Sequence, residues 1–200
     1  VITMANLLGA LLNLCYLDEV TVLRSGVIIV VIDLMYAIEN HESIQEKGCT
    51  ILQRLASSEN LQVNLSIAQT DGIDLLIMTL ATYSTNELIQ AQVCKALSHL
   101  SIDPESRMVI TTLGGLQLLV NALEMHTDNL ELAESVSLTL LILSSDGDVE
   151  ILIESGVVET VVEAMQKYPN NSNLQQHGMG VLQNVSMKGS HAKAVIAAAR

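Results

Sequence analysis

The sequence contains no Phe and no Trp, and four Tyr bring its aromatic content to only 2% of 200 residues. A core without large rings has to be filled by Leu, Ile, Val, Ala and Met, and at 50% hydrophobic residues the chain has enough of them. Only two prolines interrupt it. Leu and Met form helices readily, so the composition predicts an all-α protein. Basic residues are scarce as well: 9 Lys and Arg stand against 22 Asp and Glu, a formal charge of −13. Such a surface repels a phosphate backbone, and no Lys/Arg cluster offsets it, so no nucleic-acid partner is expected. The three cysteines, Cys15, Cys49 and Cys94, form no C-x-x-C pair. Widely spaced, odd-numbered thiols suit a reducing compartment, and a cytoplasmic or nuclear location is expected. Apolar runs are short: VIIVVI at 27–32 stops at Asp33. A bilayer span needs about 20 such residues, so no membrane insertion is expected. Three N-x-S sequons, at Asn64, Asn170 and Asn184, read as chance, two of them inside predicted helices.

What is present is repetition. IQEKGCTILQRLASSEN at 44–60 returns as IQAQVCKALSHLSIDPES at 89–106 and LQQHGMGVLQNVSMKGS at 174–190. Ile44, Ile89, Leu132 and Leu174 anchor these copies at spacings of 45, 43 and 42 residues. Ten residues beyond each anchor stand Arg54, His99, Ile142 and Asn184, with Asn13 in GALLNLC as the matching position of an earlier copy. Leu11, Leu52, Leu97, Leu140 and Leu182 lie two residues before that position; Leu14, Leu55, Leu100, Leu143 and Val185 lie one after it. A three-residue separation puts both columns on one helical face.

A second marker, Gly26, Gly72, Gly115 and Gly156, precedes a medium-length apolar segment in each copy. Glycine there would allow positive φ and a sharp turn between two helices. Asp103 and Pro104 suit an N-cap and a first helical position, and STNEL, HTDNLEL and PNNSNL supply caps before the longest helices. Each unit therefore reads as short helix, glycine turn, medium helix, polar turn, long helix. One unit buries neither of its faces alone, and stacking on the next copy removes them from water.

With these features the chain resembles the armadillo-repeat family. The period near 42, the glycine before the second helix and the Q-x-x-(A/G)-x-x-x-L-x-x-(N/H/R)-L third helix carry the resemblance over essentially all 200 residues. It divides the chain into one array: a third helix at 1–17, units at about 18–57, 59–102, 104–145 and 147–187, and a partial unit at 188–200. An opening at Val1 inside a helical pattern points to a fragment of a longer chain. The resemblance implies a right-handed superhelical solenoid, three helices per unit, whose third helices line a concave groove for a partner protein or an extended peptide.

In peptide-binding members of the family, Asn residues on the third helix hold the peptide backbone, and Trp one turn earlier packs its side chains. The corresponding residues here are Asn13, Arg54, His99, Ile142 and Asn184, and one turn earlier Gly9, Thr50, Lys95, Leu138 and Gly180. Ile142 can neither donate nor accept a hydrogen bond, and no Trp is available, so a basic nuclear-import peptide is not the expected ligand. Arg54, Lys95 and His99 in the middle, with Glu46 and Glu134 a further turn back, suit a folded partner or a peptide with central acidic character. The expected protein-binding residues are Asn13, Arg54, Lys95, His99 and Asn184.

No catalytic, cofactor or metal site is expected. His99 lacks a converging nucleophile or second carboxylate, and His41, His126, His177 and His191 make no metal-ligand spacing. Gly178 and Gly180 sit in no phosphate-loop pattern. Cys49 and Cys94 share one column with Leu8, Ser137 and Met179, which reads as core. The chain is read as a non-enzymatic interaction module. The alternative is a structural spacer or oligomerisation segment of a multidomain protein, similar to arrays in the leucine-rich-repeat kinase family. Apolar, uncapped ends would favour self-association.

Overall fold

The structure, a computed structural model, describes residues 19–58 and 60–188 together with positions 6, 9 and 10. The regular structure of the described residues is entirely helical: α1 (Glu19–Ser25), α2 (Val27–Ala37), α3 (Glu42–Ala56), α4 (Leu61–Gln69), α5 (Gly72–Thr82), α6 (Glu87–Leu100), α7 (Pro104–Thr112), α8 (Gly115–Met125), α9 (Leu130–Asp146), α10 (Val149–Glu154), α11 (Val157–Lys167) and α12 (Ser172–Met187). They form four consecutive triads of short, medium and long helix. No single helix among the described residues is long and apolar enough to cross a membrane.

The turn between the first two helices of each triad corrects the glycine reading. Positive φ falls on Gly26 (67°), Asp71 (57°), Gly114 (75°) and Gly156 (74°), not on Gly72 or Gly115. These four positions keep the 45, 43 and 42 spacing of the third-helix anchors, so they form the true column. Asp serves at 71 because a short polar side chain tolerates the left-handed region better than most. Gly72 and Gly115 are small for another reason. A Cβ on Gly72 would lie 2.5 Å from the Ile67 carbonyl oxygen, and one on Gly115 would lie 2.7 Å from that of Ile110. They let the second helix start tight against the end of the first; α7 and α8 meet there at 76°.

The most extensive contacts join consecutive long helices, α3 with α6, α6 with α9 and α9 with α12. The anchors Ile44, Ile89, Leu132 and Leu174 are all fully buried, as are Leu52, Leu97 and Leu140 in the first apolar column, while Leu182 is half-buried. In the second column Leu55, Leu100, Leu143 and Val185 are buried. The expected pattern of apolar faces thus holds across the described units.

Side-chain volumes are matched within each unit. Met35 and Met165 on the second helices pack over Gly48 and Gly178 on the third, where a Cβ would collide with the Met sulfur. The same two positions hold Leu80 with Val93 and Leu123 with Val136 in the middle units, all buried. Met goes with Gly, and Leu with Val. Placing Val at Gly178 is expected to cost about 1–3 kcal/mol by overpacking. Adding Met165→Leu should recover most of that loss, which a double-mutant cycle in chemical denaturation followed by circular dichroism measures.

Polar side chains then stitch the layers. The Gln one residue past the anchor donates its amide to the last carbonyls of the preceding medium helix: Gln45 to Met35 (2.9 Å) and Ile38 (3.1 Å), Gln90 to Leu80 (2.8 Å) and Tyr83 (3.1 Å), Gln175 to Met165 (2.8 Å) and Tyr168 (3.2 Å). Helix C-termini leave such carbonyls without intrahelical partners, which is why the repeat carries Gln there.

Six residues before the last three anchors, a ring tip crosses to the previous unit. Tyr83 donates to the Glu39 carbonyl (2.7 Å) and Tyr168 to the Thr127 carbonyl (2.7 Å); His126 replaces Tyr and reaches the Ser84 carbonyl through Nε2 at 2.7 Å. A carbonyl only accepts, so Nε2 of His126 carries the proton.

The N-cap asparagines of the long helices do two tasks at once. Asn86, Asn129 and Asn171 each accept from the anchor N–H through Oδ1. Their amides donate to the preceding unit: Asn86 to Glu42 (2.7 Å) and Glu46 (3.0 Å), Asn129 to Glu87 (2.8 Å), Asn171 to Glu134 (2.8 Å). Asn86→Asp keeps the cap but sets a third carboxylate against Glu42 and Glu46. It is expected to destabilise at neutral pH by more than the ~1 kcal/mol of a lost cap. Its deficit against the parent should shrink as pH falls through the carboxylate range, about 4–5, because protonation removes the repulsion.

Candidate groove on the third helices

Each long helix carries a stripe of residues that are neither sealed in the core nor fully exposed. On α3 it carries Lys47, Thr50 and Arg54, and on α6 Gln92, Lys95 and His99; on α9 it carries Glu134, Leu138 and Ile142, and on α12 His177, Gly180 and Asn184. All twelve are half-buried, as side chains lining a shallow recess would be. Each is held at helical spacing, and the stacking of α3, α6, α9 and α12 sets the stripes side by side.

Arg54 and His99 occupy the same column on adjacent long helices, with Lys95 one turn before His99. Lys95 makes an ion pair with Glu131 of the following unit at 2.5 Å, with side chains 37% and 59% exposed. A pair this exposed contributes about 1 kcal/mol or less, so a ligand carboxylate can compete for the ammonium. Asn184 donates to the Leu141 carbonyl at 3.3 Å and to Ser144 Oγ at 3.0 Å, which commits its amide hydrogens to α9. Its carbonyl oxygen is the part left to face a ligand. Asn13 lies outside the described residues, as do Cys15 and His191.

The stripe includes residues the repeat pattern did not single out. Lys47 adds a cation one turn before Thr50. Gln92 Oε1 and His177 Nδ1 are buried polar atoms without a hydrogen-bond partner among the described residues. Their signal in the sequence was positional only: each stands one turn before a position already chosen. Leu138 and Ile142 make the α9 segment apolar where the α3 and α6 segments are cationic. Among the described residues no cluster of three or more His, Cys, Asp and Glu is placed to hold a metal ion.

Cys49 and Cys94 are fully buried, and burial pushes both thiols up, Cys94 to about 12. Ser137 in the same column is buried too, but Met179 is 58% exposed, against the core reading for that position. Within the described residues no later long helix packs over α12, so nothing covers it. Native protein is expected to resist alkylation at Cys49 and Cys94 at neutral pH and to react only on unfolding, which mass spectrometry after timed labelling reads directly. The sign for stability follows. The thiols stay neutral in the fold while unfolded thiols ionise from about pH 8.5, so stability is lost as pH rises through that value toward 12.

No protein-family model and no curated protein matches the sequence. Solved structures do. A designed armadillo-repeat protein in complex with the peptide (KR)4 superposes with a TM-score of 0.75 at 15% identity, covering 96% of this chain and 79% of that one. The fold is the armadillo-repeat solenoid. A chain from the structure concerning the phosphorylation switch between cadherin and β-catenin gives a TM-score of 0.77 at 24% identity, over 91% of this chain and 35% of that one. An engineered protein gives 0.77 at 22% identity, over 95% of this chain and 46% of its own length. This chain thus spans less than half of two of these armadillo-like structures. The half-buried stripe lies on the third helix of each of the four triads described above.

Proposed function

We propose that the chain is a non-enzymatic protein-interaction module whose third helices bind an extended segment or a surface of a partner protein. The observation that carries the reading is the alignment of Lys47, Arg54, Lys95 and His99 on one half-buried face of a chain whose net charge is −13. Three of the nine Lys and Arg lie on this face, and the exposed Lys95–Glu131 pair leaves the ammonium open to an incoming carboxylate.

Likeness of fold adds a general argument. The designed relative is complexed with (KR)4, and the cadherin–β-catenin structure concerns a protein interaction. The basic residues on this chain's stripe disfavour a ligand like (KR)4. They favour a partner that brings Asp or Glu to α3 and α6 and an apolar side chain to Leu138 and Ile142 on α9. The five residues expected to contact it remain Asn13, Arg54, Lys95, His99 and Asn184.

Arg54→Glu combined with Lys95→Glu tests the assignment. Affinity for a partner isolated with the parent protein is expected to fall at least tenfold, while the thermal midpoint stays within a few degrees because both side chains are partly exposed. Unchanged affinity would refute the groove. A concentration-dependent dimer, indifferent to these substitutions and binding no partner, would favour a structural spacer instead.

A further inference from the structure

A second recess lies away from the long helices, between α7 and α10. It is a cleft of about 460 Å³ lined by Met108 and Thr111 of α7, Ile151 of α10, Leu143 at its base and Asp146 to Asp148 along one edge. Its origin is local. The first helix of the last described unit, α10, has 6 residues where α4 and α7 have 9, while the long helix before it, α9, runs on for 17. The missing turn leaves the side of α7 uncovered. Met108 is 69% exposed and Ile151 50% exposed, and Ile102 at the start of the same edge is 64% exposed. Two large apolar side chains, Met108 and Ile151, exposed in the lining of one recess mark an interaction surface.

The charges around the cleft select the occupant. Both nearby cations are engaged. Arg107 donates to the Ser101 and Ile102 carbonyls at 3.2 and 3.0 Å and to Asp146 Oδ2 at 2.9 Å. Lys188 donates to the Gly147 carbonyl. Glu105, beside cleft-lining Pro104, and Asp148 and Glu150 are exposed and enter no ion pair among the described residues. The recess is therefore apolar inside and acidic at its rim, the reverse of the third-helix face. A second copy meeting it cleft to cleft would set acid against acid, and an anionic lipid or nucleic-acid surface would be repelled for the same reason.

We propose that this cleft is a second docking site, independent of the third-helix groove. It accepts a basic-apolar segment of a partner protein that inserts an apolar side chain between Met108 and Ile151 and sets Lys or Arg against Glu105, Asp148 and Glu150. Anchoring by one or two buried apolar side chains with charged flanks is how a small interface concentrates its affinity.

A displayed library of random peptides, selected on the parent protein and counter-selected on the Met108→Ser, Ile151→Ser double variant, tests this. The enriched peptides are expected to carry Leu, Ile, Met or Phe flanked by Lys or Arg. Synthesised singly, they should bind the parent at least tenfold tighter than either that variant or Glu105→Gln combined with Glu150→Gln. Arg54→Glu with Lys95→Glu should leave their binding unchanged, which separates this site from the groove. All six substituted side chains are on the surface, and circular dichroism confirms that each variant is folded. Failure of any peptide to survive counter-selection, an acidic or uncharged consensus, or loss of binding only in the groove variant would overturn the proposal.

Discussion

A single layer of three helices in this chain has two apolar sides and no way to bury both. Ile89, Val93, Leu97 and Leu100 share one face of α6, and all four are almost completely removed from water. At roughly 25 cal/mol per Å² of apolar surface, that burial is the largest favourable term available, and it exists only where another layer is present. Repetition in the sequence is the consequence. Each copy has to present the surface its neighbours need, so anchor and column positions are repeated while other positions drift.

Burial by itself leaves polar groups to be satisfied, and the same neighbour relation serves them. The short turns between helices strand carbonyls at each medium helix C-terminus and N–H groups at each long helix N-terminus. Gln45, Gln90 and Gln175 answer the first need and the asparagine caps the second. Those asparagines also hold a glutamate of the previous layer, so capping a helix and fixing the offset between layers become one device. Ala133 in the third unit departs from the Gln pattern, and nothing in the structure explains that substitution. The rings of Tyr83, His126 and Tyr168, in the same turns as those caps, also reach back to the previous layer. Layers so joined cannot slide freely, which keeps the third-helix stripes in register as one surface.

How much of this could be read beforehand depends on the kind of constraint. Apolar columns were legible because each must be buried in every copy, so Leu52, Leu97 and Leu140 repeat almost without variation. Asp103 and Pro104 were legible because capping chemistry is local. The left-handed turn was displaced by one residue in two units, because Gly72 and Gly115 advertise themselves as turn glycines while Asp71 does not. Nothing local distinguishes a glycine chosen for its φ from one chosen because a carbonyl oxygen lies 2.5 Å from where its Cβ would be. The Met–Gly and Leu–Val exchange was invisible for a related reason: it is a relation between two columns, and each column alone looks merely variable. At the candidate groove, the spacing picked out positions on the third helices but not their contacts, since the Lys95–Glu131 pair and the tie from Asn184 to α9 cross between units.

That division explains where recognition can sit in such a molecule. Positions serving the stack are restricted to Leu, Ile, Val, small residues or a specific amide, and they carry no information about a ligand. Third-helix positions ten residues past the anchor are released from apolar packing, though Asn184 still ties α12 to α9, and they hold Arg54, His99, Ile142 and Asn184, four different chemistries in one column. A solenoid of identical layers would offer the same side chain at every step and could distinguish little beyond charge. Here the surface changes from cationic on α3 and α6 to apolar on α9 within adjacent layers. Under the proposed function, a partner would be discriminated by the order of its side chains as well as by their kind, because reversing an acidic-then-apolar segment would set its carboxylates against Leu138 and Glu134 and its apolar end against Arg54. The rigid offsets imposed by the asparagine caps and ring contacts make that order readable, since a stack free to shear would average the two regions into one.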